Sequence, residues 1–247
     1  MCFAQFAPLF LGELAMAKAI VGSMSELSGL LKDFFRQIDD GSLSLFNLRE
    51  MLNHRNPFDY LVDINWRKVY EFLGMTAEYD EFAKTQADFN ADKSLWTIPV
   101  VKGVTCNKVV EALKSRDVAF YLYANDLDKA VTENDRDPNR DGSYAIGFAR
   151  KVEADEENKN LSADQLKEQN HKGITLLERL LLELGYFMAT GQHLDARNIT
   201  LCSGSRYSDG NVPYGHWNSG NRKVYVYWSN PVNRNVILRS RSAVSLA

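Results

Sequence analysis

The most informative segment of this chain is Ser203–Arg241, which we call the cassette and which reads SGSRYSDGNVPYGHWNSGNRKVYVYWSNPVNRNVILRSR. Two kinds of position alternate in it. The first kind is typical of a packed scaffold and comprises Val212, Pro213, Trp217, Val224, Tyr225, Val226, Trp228, Pro231, Leu238 and Arg239. The second kind is small, polar or aromatic and comprises Tyr207, Tyr214, His216, Asn218, Gly220, Asn221, Tyr227, Ser229, Asn233 and Asn235.

The two kinds of position predict a sheet with two different faces. Side chains alternate along a strand, so within Val224–Trp228 the valines and the tryptophan share one face and the two tyrosines share the other. The second kind of position also has the composition of a binding surface, since Tyr supplies rigid contact area and Ser, Asn and Gly supply adaptable hydrogen bonds. The same composition fits a loop-rich sheet whose turns need Asn, Gly and Ser.

A helix is predicted shortly before this cassette. Thr175 and Glu178 have the spacing of a capping box, and Gly191 follows as a C-terminal stop. Between them a wide apolar face is formed by Leu176, Leu177, Leu180, Leu181, Leu184, Phe187 and Met188. We expect this helix to cover the scaffold face of the sheet.

Strand and helix patterns are mixed further upstream. Ser162–Gln165 is a second capping box, which predicts a short helix. Strands are predicted at Thr97–Val104, Val118–Ala124 and Tyr144–Arg150, and a helix at Asn107–Arg116. After residue 198 only strand and turn signals remain. The fold class predicted for residues 96–247 is therefore α+β.

The first sixty residues are predicted to form a helical N-terminal segment. Apolar residues from Leu27 to Ile38 lie on one stripe of an amphipathic helix with Ser25 as its N-cap, and Leu45–Leu52 repeats the pattern. Such a stripe usually packs on its own protein, and a partner-binding helix is the alternative.

The remaining N-terminal residues carry weaker signals. Residues 1–23 are interpreted as a mis-called start or a disordered segment, and residues 61–95 as a connecting region. The pattern of the first residues fits neither a cleavable signal peptide nor a membrane span. We therefore expect a protein with no membrane span that is cytoplasmic, or exported without a cleavable signal.

Charge is distributed unevenly along the chain. The 247 residues carry a formal net charge of −3, which does not suit a general polyanion binder. The last fifty residues, however, contain six basic residues and one acidic residue, Asp209, and so carry +5, against −8 for the first 197. The three cysteines, Cys2, Cys106 and Cys202, are too scattered for a disulfide framework or a zinc site.

The sequence carries no recognisable catalytic or cofactor motif. None of the four histidines has a spacing that would converge on a metal, and there is no nucleophile elbow, Walker loop or dinucleotide fingerprint. The stretch from Asp137 to Gly142 matches the first six places of an EF-hand loop. The twelfth place is Phe148, where a bidentate Glu is needed, so we expect a self-bonded Asx-rich turn instead. We assign no catalytic residue, metal ligand or cofactor.

The cassette resembles the variable region of diversity-generating-retroelement variable proteins. The resemblance is carried by the pattern V-P-x-x-x-W-N-x-x-N-R-K-V-Y-V-x-W-x-N-P-x-N-x-x-x-x-L-R-S-R, which runs from Val212 to Arg241. In that family a reverse transcriptase copies a template repeat with errors at adenines, and the copy replaces the 3′ end of the gene. Asparagine codons are the richest targets, and their products include Tyr, Ser, His, Asp, Gly, Val and Ile.

The resemblance implies a fold, a function and a site. The implied fold is a C-type-lectin-like domain that displays variable residues on a ligand-binding face. The implied function is a ligand-binding display protein, not an enzyme, whose partner is an unknown protein or other macromolecule. The implied variable face comprises Tyr207, Tyr214, His216, Asn218, Gly220, Asn221, Tyr227, Ser229, Val232, Asn233, Asn235, Val236 and Ile237.

Two alternative functions stay open on the sequence alone. The first is an enzyme on the related fold of formylglycine-generating proteins, which use a pair of cysteines. Only Cys202 lies in the corresponding half of this chain, which argues against that alternative. The second is a single-stranded nucleic-acid binder that uses the basic, aromatic C-terminus. The calcium-dependent sugar motifs of ordinary C-type lectins are missing, so a calcium-dependent carbohydrate site is not implied.

Overall fold

The structure is a computed structural model that describes residues 24–39, 48, 51–52, 62–86, 88–92 and 94–246. The chain divides into two units, Met1–Phe58 and Asp59–Ala247. In the first unit, helix α1 spans Met24–Asp39, as the apolar stripe predicts, but Ser25, the predicted N-cap, is its second residue. The predictions for residues 1–23, and most of the predicted second helix at 45–52, lie outside the described residues.

The second unit mixes helices and strands, which confirms the α+β class. Its helices are α2 (Trp66–Phe72), α3 (Thr76–Thr85), α4 (Cys106–Lys114), α5 (Leu127–Ala130), α6 (Pro138–Asp141), α7 (Ala163–Glu168) and α8 (Leu176–Thr190). Its strands are β1 (Leu95–Val100), β2 (Phe120–Leu122), β3 (Val131–Asn134), β4 (Tyr144–Ala149), β5 (Ile199–Leu201), β6 (Ser205–Tyr207), β7 (Val212–Asn218), β8 (Lys223–Ser229), β9 (Leu238–Arg239) and β10 (Val244–Ser245). Within the described part of the chain, no helix combines the length and apolar character needed to cross a membrane.

A five-stranded sheet with the order β2-β8-β7-β5-β9 carries the cassette. Its three central strands are antiparallel neighbours, whereas β2 runs parallel to β8 and β9 runs parallel to β5. A second sheet has the order β1-β4-β10, and β3 pairs with β6. The cassette therefore supplies the two long strands β7 and β8, which are flanked by β2 from a distant part of the sequence and by β5 from just before the cassette.

Helix α8 is the centre of the core. It packs against α2, α4, β1 and β7, and both predicted caps are present, with Thr175 and Glu178 forming the capping box and Gly191 in the left-handed conformation at φ 70°. The predicted buried face is only partly correct. The leucines at 176, 180, 181 and 184 are buried, but Leu177, Phe187 and Met188 are half-buried, and Arg179 and Glu183 take fully buried positions instead.

Residues 61–95, predicted as a connecting region, are instead part of the second unit. The indole of Trp66 and the phenol of Tyr70 lie in the main core, and the Tyr70 hydroxyl donates a hydrogen bond of 2.6 Å to the Pro99 carbonyl in β1. Gly185 of α8 permits a close approach here, since a Cβ at that position would lie 2.7 Å from Ile64 Cγ2. Helices α2 and α3 therefore belong to the folded domain.

Candidate binding face

The hairpin formed by β7 and β8 is the framework of the candidate site. Its register pairs Tyr214 with Tyr227 and His216 with Tyr225. The connecting turn is closed by the side-chain oxygen of Asn218, which accepts a hydrogen bond of 3.0 Å from the backbone N–H of residue 221. Because alternate residues share a face, this register brings the four aromatic side chains to one side of the sheet.

Six aromatic side chains form a continuous patch, which we call the aromatic face: Tyr121, Tyr123, Tyr214, His216, Tyr225 and Tyr227. Ring centroids join its members in a chain of contacts. Tyr121 stacks on Tyr225 at 4.8 Å and lies 5.7 Å from Tyr227, which in turn lies 5.6 Å from Tyr123. His216 lies 5.2 Å from Tyr225. These separations are typical of mutually supporting aromatic rings.

Two members of the aromatic face come from outside the cassette. Strand β2 pairs in parallel with β8, and this pairing sets Tyr121 opposite Tyr225. Tyr121 is 45% exposed and Tyr123 is 41% exposed. Neither tyrosine is among the predicted site residues, although the alternation in Val118–Ala124 places both of them on one face of a strand.

Tyr225, predicted as a scaffold residue, belongs instead to the aromatic face. Its ring is half-buried between those of Tyr121 and His216, and its hydroxyl accepts a hydrogen bond from the side-chain amide of Asn221. The scaffold face of the same strand is formed by Val224 and Val226, which are buried in the main core.

The face is electrically neutral around its centre at pH 7. Burial, together with the nearby Arg179 guanidinium, lowers the pKa of His216 below its ordinary value, so that the imidazole is uncharged. Burial raises the pKa of Tyr214, and the charge of Asp209 raises the pKa of Tyr123. Both phenols therefore keep their protons and can donate or accept hydrogen bonds.

Other predicted site residues surround the aromatic face or lie in the loop before β9. Asn218 is half-buried, while Gly220 and Asn221 are exposed in the hairpin turn. The loop exposes five further predicted residues: Val232, Asn233, Asn235, Val236 and Ile237. Three of these five are apolar side chains that contribute nothing to the described core.

Two predicted site residues depart from the expectation that their side chains contact solvent. Tyr207 is 2% exposed and lies in the main core, because β6 pairs with β3 and turns this ring inward beneath Tyr123. Ser229, at the end of β8, is also buried. Neither side chain is available to a ligand without a rearrangement of its surroundings.

The two cassette tryptophans are half-buried and not fully buried. Trp217 stacks on His193 with a ring separation of 3.7 Å, and Trp228 contacts the rings of Tyr123 and Tyr227. Truncation of a fully buried indole costs on the order of 3–5 kcal/mol. We expect the effect of Trp217→Ala or Trp228→Ala to lie below that range.

A buried ionic cluster fixes the sheet from its scaffold side. Arg179 and Glu183 of α8, Asp195, and Arg241 near the C-terminus are each at most 1% exposed. The Asp195 carboxylate lies 2.8 Å from Arg179 Nε and 2.7 Å from Arg241 Nη2, and it accepts a hydrogen bond of 2.6 Å from the Thr200 hydroxyl in β5. The final arginine of the cassette pattern thus has a structural role.

The carboxylates of the EF-hand-like loop accept hydrogen bonds from other groups of the same loop. Asp137 caps α6 by accepting a hydrogen bond of 2.8 Å from the backbone N–H of Asn139, and Asp141 is paired with Arg140. Phe148 is buried in β4. Among the described residues no group of three or more His, Cys, Asp or Glu side chains is arranged to hold a metal ion.

We expect calcium to leave the thermal unfolding midpoint of the protein unchanged. The two Asp carboxylates at 137 and 141 already have protein donors, and Phe148 supplies no ligand. The measurement is a melt after chelation, repeated with calcium added back. A rise of several degrees would show that the loop holds an ion in another geometry.

Neither described cysteine has the properties of a nucleophile. Cys106 and Cys202 are buried, and burial raises the pKa of each thiol. Reactive cysteines instead have lowered pKa values and accessible sulfur atoms. This arrangement disfavours the thiol chemistry of the formylglycine-generating alternative.

The described chain also has a polar cleft of about 310 Å³, which is separate from the residues of the aromatic face. Its walls include Glu133, Lys167, Lys172 and Arg206. Sites for small molecules are usually lined mainly by apolar side chains with a few polar groups. The aromatic face, not this cleft, is therefore the candidate binding site.

Comparison of the chain with family models, with curated proteins and with solved structures yields no match. What the geometry defines is an α+β domain with a partly exposed, tyrosine-rich sheet face whose centre is uncharged.

Two neighbouring residues in β8 allow the aromatic face to be compared with the core, since Tyr227 lies on that face and Val226 is buried. We expect Tyr227→Ala to lower the free energy of unfolding by about 1 kcal/mol or less, because its half-buried ring is not part of the described hydrophobic core. Val226→Ala should cost roughly 2–3 kcal/mol, because two methyl groups leave a well-packed core. Urea unfolding of both variants measures the difference. Equal losses would mean that the tyrosine is also a core residue.

Proposed function

We propose that this protein is a binding protein whose aromatic face and neighbouring loop contact a macromolecular partner, and that these residues are diversified by a retroelement. The observation that carries the proposal is a difference in solvent exposure between the predicted variable residues and the predicted scaffold residues of the cassette. Of the thirteen predicted variable residues, eleven are exposed or half-exposed. Of the ten predicted scaffold residues, five are buried, namely Val212, Pro213, Val224, Val226 and Leu238, and none is fully exposed.

The chemistry of the exposed positions supports the same proposal. Tyrosine combines a large contact area with few rotatable bonds, and aromatic residues dominate binding energy at protein interfaces. Exposed apolar residues such as Val232 (65% exposed) and Val236 (59% exposed) have no packing role in the described domain. They are compatible with mutated asparagine codons, as the resemblance implies.

The proposal includes the fold. We propose that residues 59–247 adopt a C-type-lectin-like domain, in which the hairpin β7–β8 and the loop before β9 form the display surface. The order of elements, with helix α8 covering a mixed sheet whose last strands carry the cassette, supports this assignment.

Sequencing the 3′ end of the gene in many cells or isolates tests the diversification. We expect substitutions in the codons of Tyr214, His216 and Tyr227 and in those of the loop, at adenines of a nearby template copy beside a reverse-transcriptase gene. The codons of Val224 and Val226 should stay constant. Uniform scatter over both sets, or the lack of a template copy, would contradict the proposal.

A further inference from the structure

The charge at one end of the aromatic face identifies the kind of partner. Arg222 lies in the turn that precedes β8, and Lys223 is the first residue of that strand. By strand alternation Lys223 lies on the same side of the sheet as Tyr225 and Tyr227. Among the described residues neither cation has a carboxylate partner.

Some cations elsewhere on the described surface are neutralised by a carboxylate, whereas others, such as Lys167 and Lys172, are not. Arg36 pairs with Asp33 at 2.7 Å, and Lys114 pairs with Glu111 at 2.8 Å. Asp209, the single acid of the cassette, pairs with neither cation: it lies beside Tyr123 and accepts hydrogen bonds of 3.0 and 2.8 Å from the backbone and side-chain nitrogens of Asn211. The aromatic face therefore has two uncompensated positive charges at one end.

From these observations we propose that the partner presents an acidic polypeptide segment, whose carboxylates meet Arg222 and Lys223 and whose apolar side chains cover the tyrosines. This inference rests on the proposed function, because it names the chemistry of the partner for the same face. Lys223 and Tyr227 are four residues apart, which is roughly 13 Å along a strand. An extended segment of about the same number of residues spans that distance.

The distribution of charge favours a polypeptide over a nucleic acid. A single strand of nucleic acid is bound by cations that follow its phosphates, together with stacked bases. Here the two cations lie at one end, while the centre of the face is neutral and its rings contact one another. Complementary charge at the edge of an aromatic patch is typical of a protein interface, where it steers association and fixes orientation.

Selection of a random peptide library displayed on phage, with the purified full chain as the target, tests the inference. We expect the enriched peptides to contain more Asp and Glu than Lys and Arg. The double charge reversal R222E/K223E should reverse this preference towards basic peptides. The matched control K167E/K172E reverses two exposed lysines at the polar cleft and should leave the acidic preference intact.

Two further variants separate the inference from the proposed function. Tyr121→Ala and Tyr227→Ala should each weaken binding of the selected peptides by about tenfold or more, as loss of an aromatic hot spot does. If the peptides depend on both tyrosines but show no acidic excess, or if the excess survives R222E/K223E, the inference is wrong and the binding function stands. If no selected peptide depends on either tyrosine, the proposed function itself fails.

A single-stranded oligothymidine is the competing probe. We expect no binding that depends on Tyr227. Tyr227-dependent binding of the oligonucleotide, with affinity falling steeply as salt is raised, would overturn the inference in favour of the nucleic-acid alternative.

Discussion

Arg241→Ala is expected to destabilise the protein by about 3–5 kcal/mol, because it leaves the buried Asp195 carboxylate with an uncompensated part of its charge. Arg241 Nη2 lies 2.7 Å from Asp195, and its other guanidinium nitrogens donate to the Lys151 carbonyl and to the Thr200 hydroxyl. The measurement is the urea midpoint at neutral pH. The matched control is Arg140→Ala, which removes an arginine from an exposed pair and should shift the midpoint far less.

Acid titration gives an independent check on the same cluster. Burial alone would raise the pKa of Asp195, but the charges of Arg241 and Arg179 together hold it below its ordinary value. The resulting stabilisation is complete above the unfolded pKa of about 3.9 and is lost as the pH falls through the lower folded value. Asp195→Asn should therefore flatten the loss of stability below about pH 4. The structural role of this cluster would be contradicted if Asp195→Asn left the loss of stability at low pH unchanged, or if Arg241→Ala were as stable as the control.

Truncation to residues 96–247 is expected to abolish cooperative unfolding, whereas truncation to residues 59–247 should preserve it. The shorter fragment lacks seven core side chains of the described chain: Ile64, Trp66, Val69, Tyr70, Leu73, Met75 and Phe82. Each buried side chain of this kind contributes roughly 1.5–3 kcal/mol, so their joint loss is comparable to the entire stability of a domain.

Circular dichroism and thermal melts of the two fragments make the comparison. The longer fragment keeps α2, α3 and the close contact between Trp66 and Gly185. A cooperative melt of residues 96–247 close to that of the full chain would show that α2 and α3 are dispensable and that residue 96 is the true boundary.

Local signals in the sequence predicted most of the regular structure. The capping box at Thr175 and the stop at Gly191 give the limits of α8 almost to the residue, because both depend on backbone groups that are near in the chain. The alternation in β8 likewise predicted the two sides of the hairpin. The helix α2 was missed although Trp66, Val69 and Tyr70 have helical spacing, since charged residues interrupt the pattern.

The candidate site was less predictable, because it depends on pairing between distant segments. Tyr121 reaches the aromatic face only through the parallel pairing of β2 with β8, which spans about a hundred residues of sequence. The burial of Tyr207 follows from the pairing of β6 with β3. The composition of the cassette signals neither pairing, and a buried arginine such as Arg179 is recognisable only once its partners are known.

The proposal that a constant scaffold displays exchangeable residues can be tested by one measurement that does not require the partner to be known. It is the thermal unfolding midpoint of a variant in which the exposed and half-exposed predicted residues are exchanged together for other products of asparagine codons. The exchanged positions are Tyr214, His216, Asn218, Gly220, Asn221, Tyr227, Val232, Asn233, Asn235, Val236 and Ile237. We predict a cooperative melt within a few degrees of the original, because seven of the eleven residues are exposed, the other four are half-buried, and substitutions outside the core have small effects. Loss of cooperative unfolding would show that these residues hold the fold together and are not displayed by it.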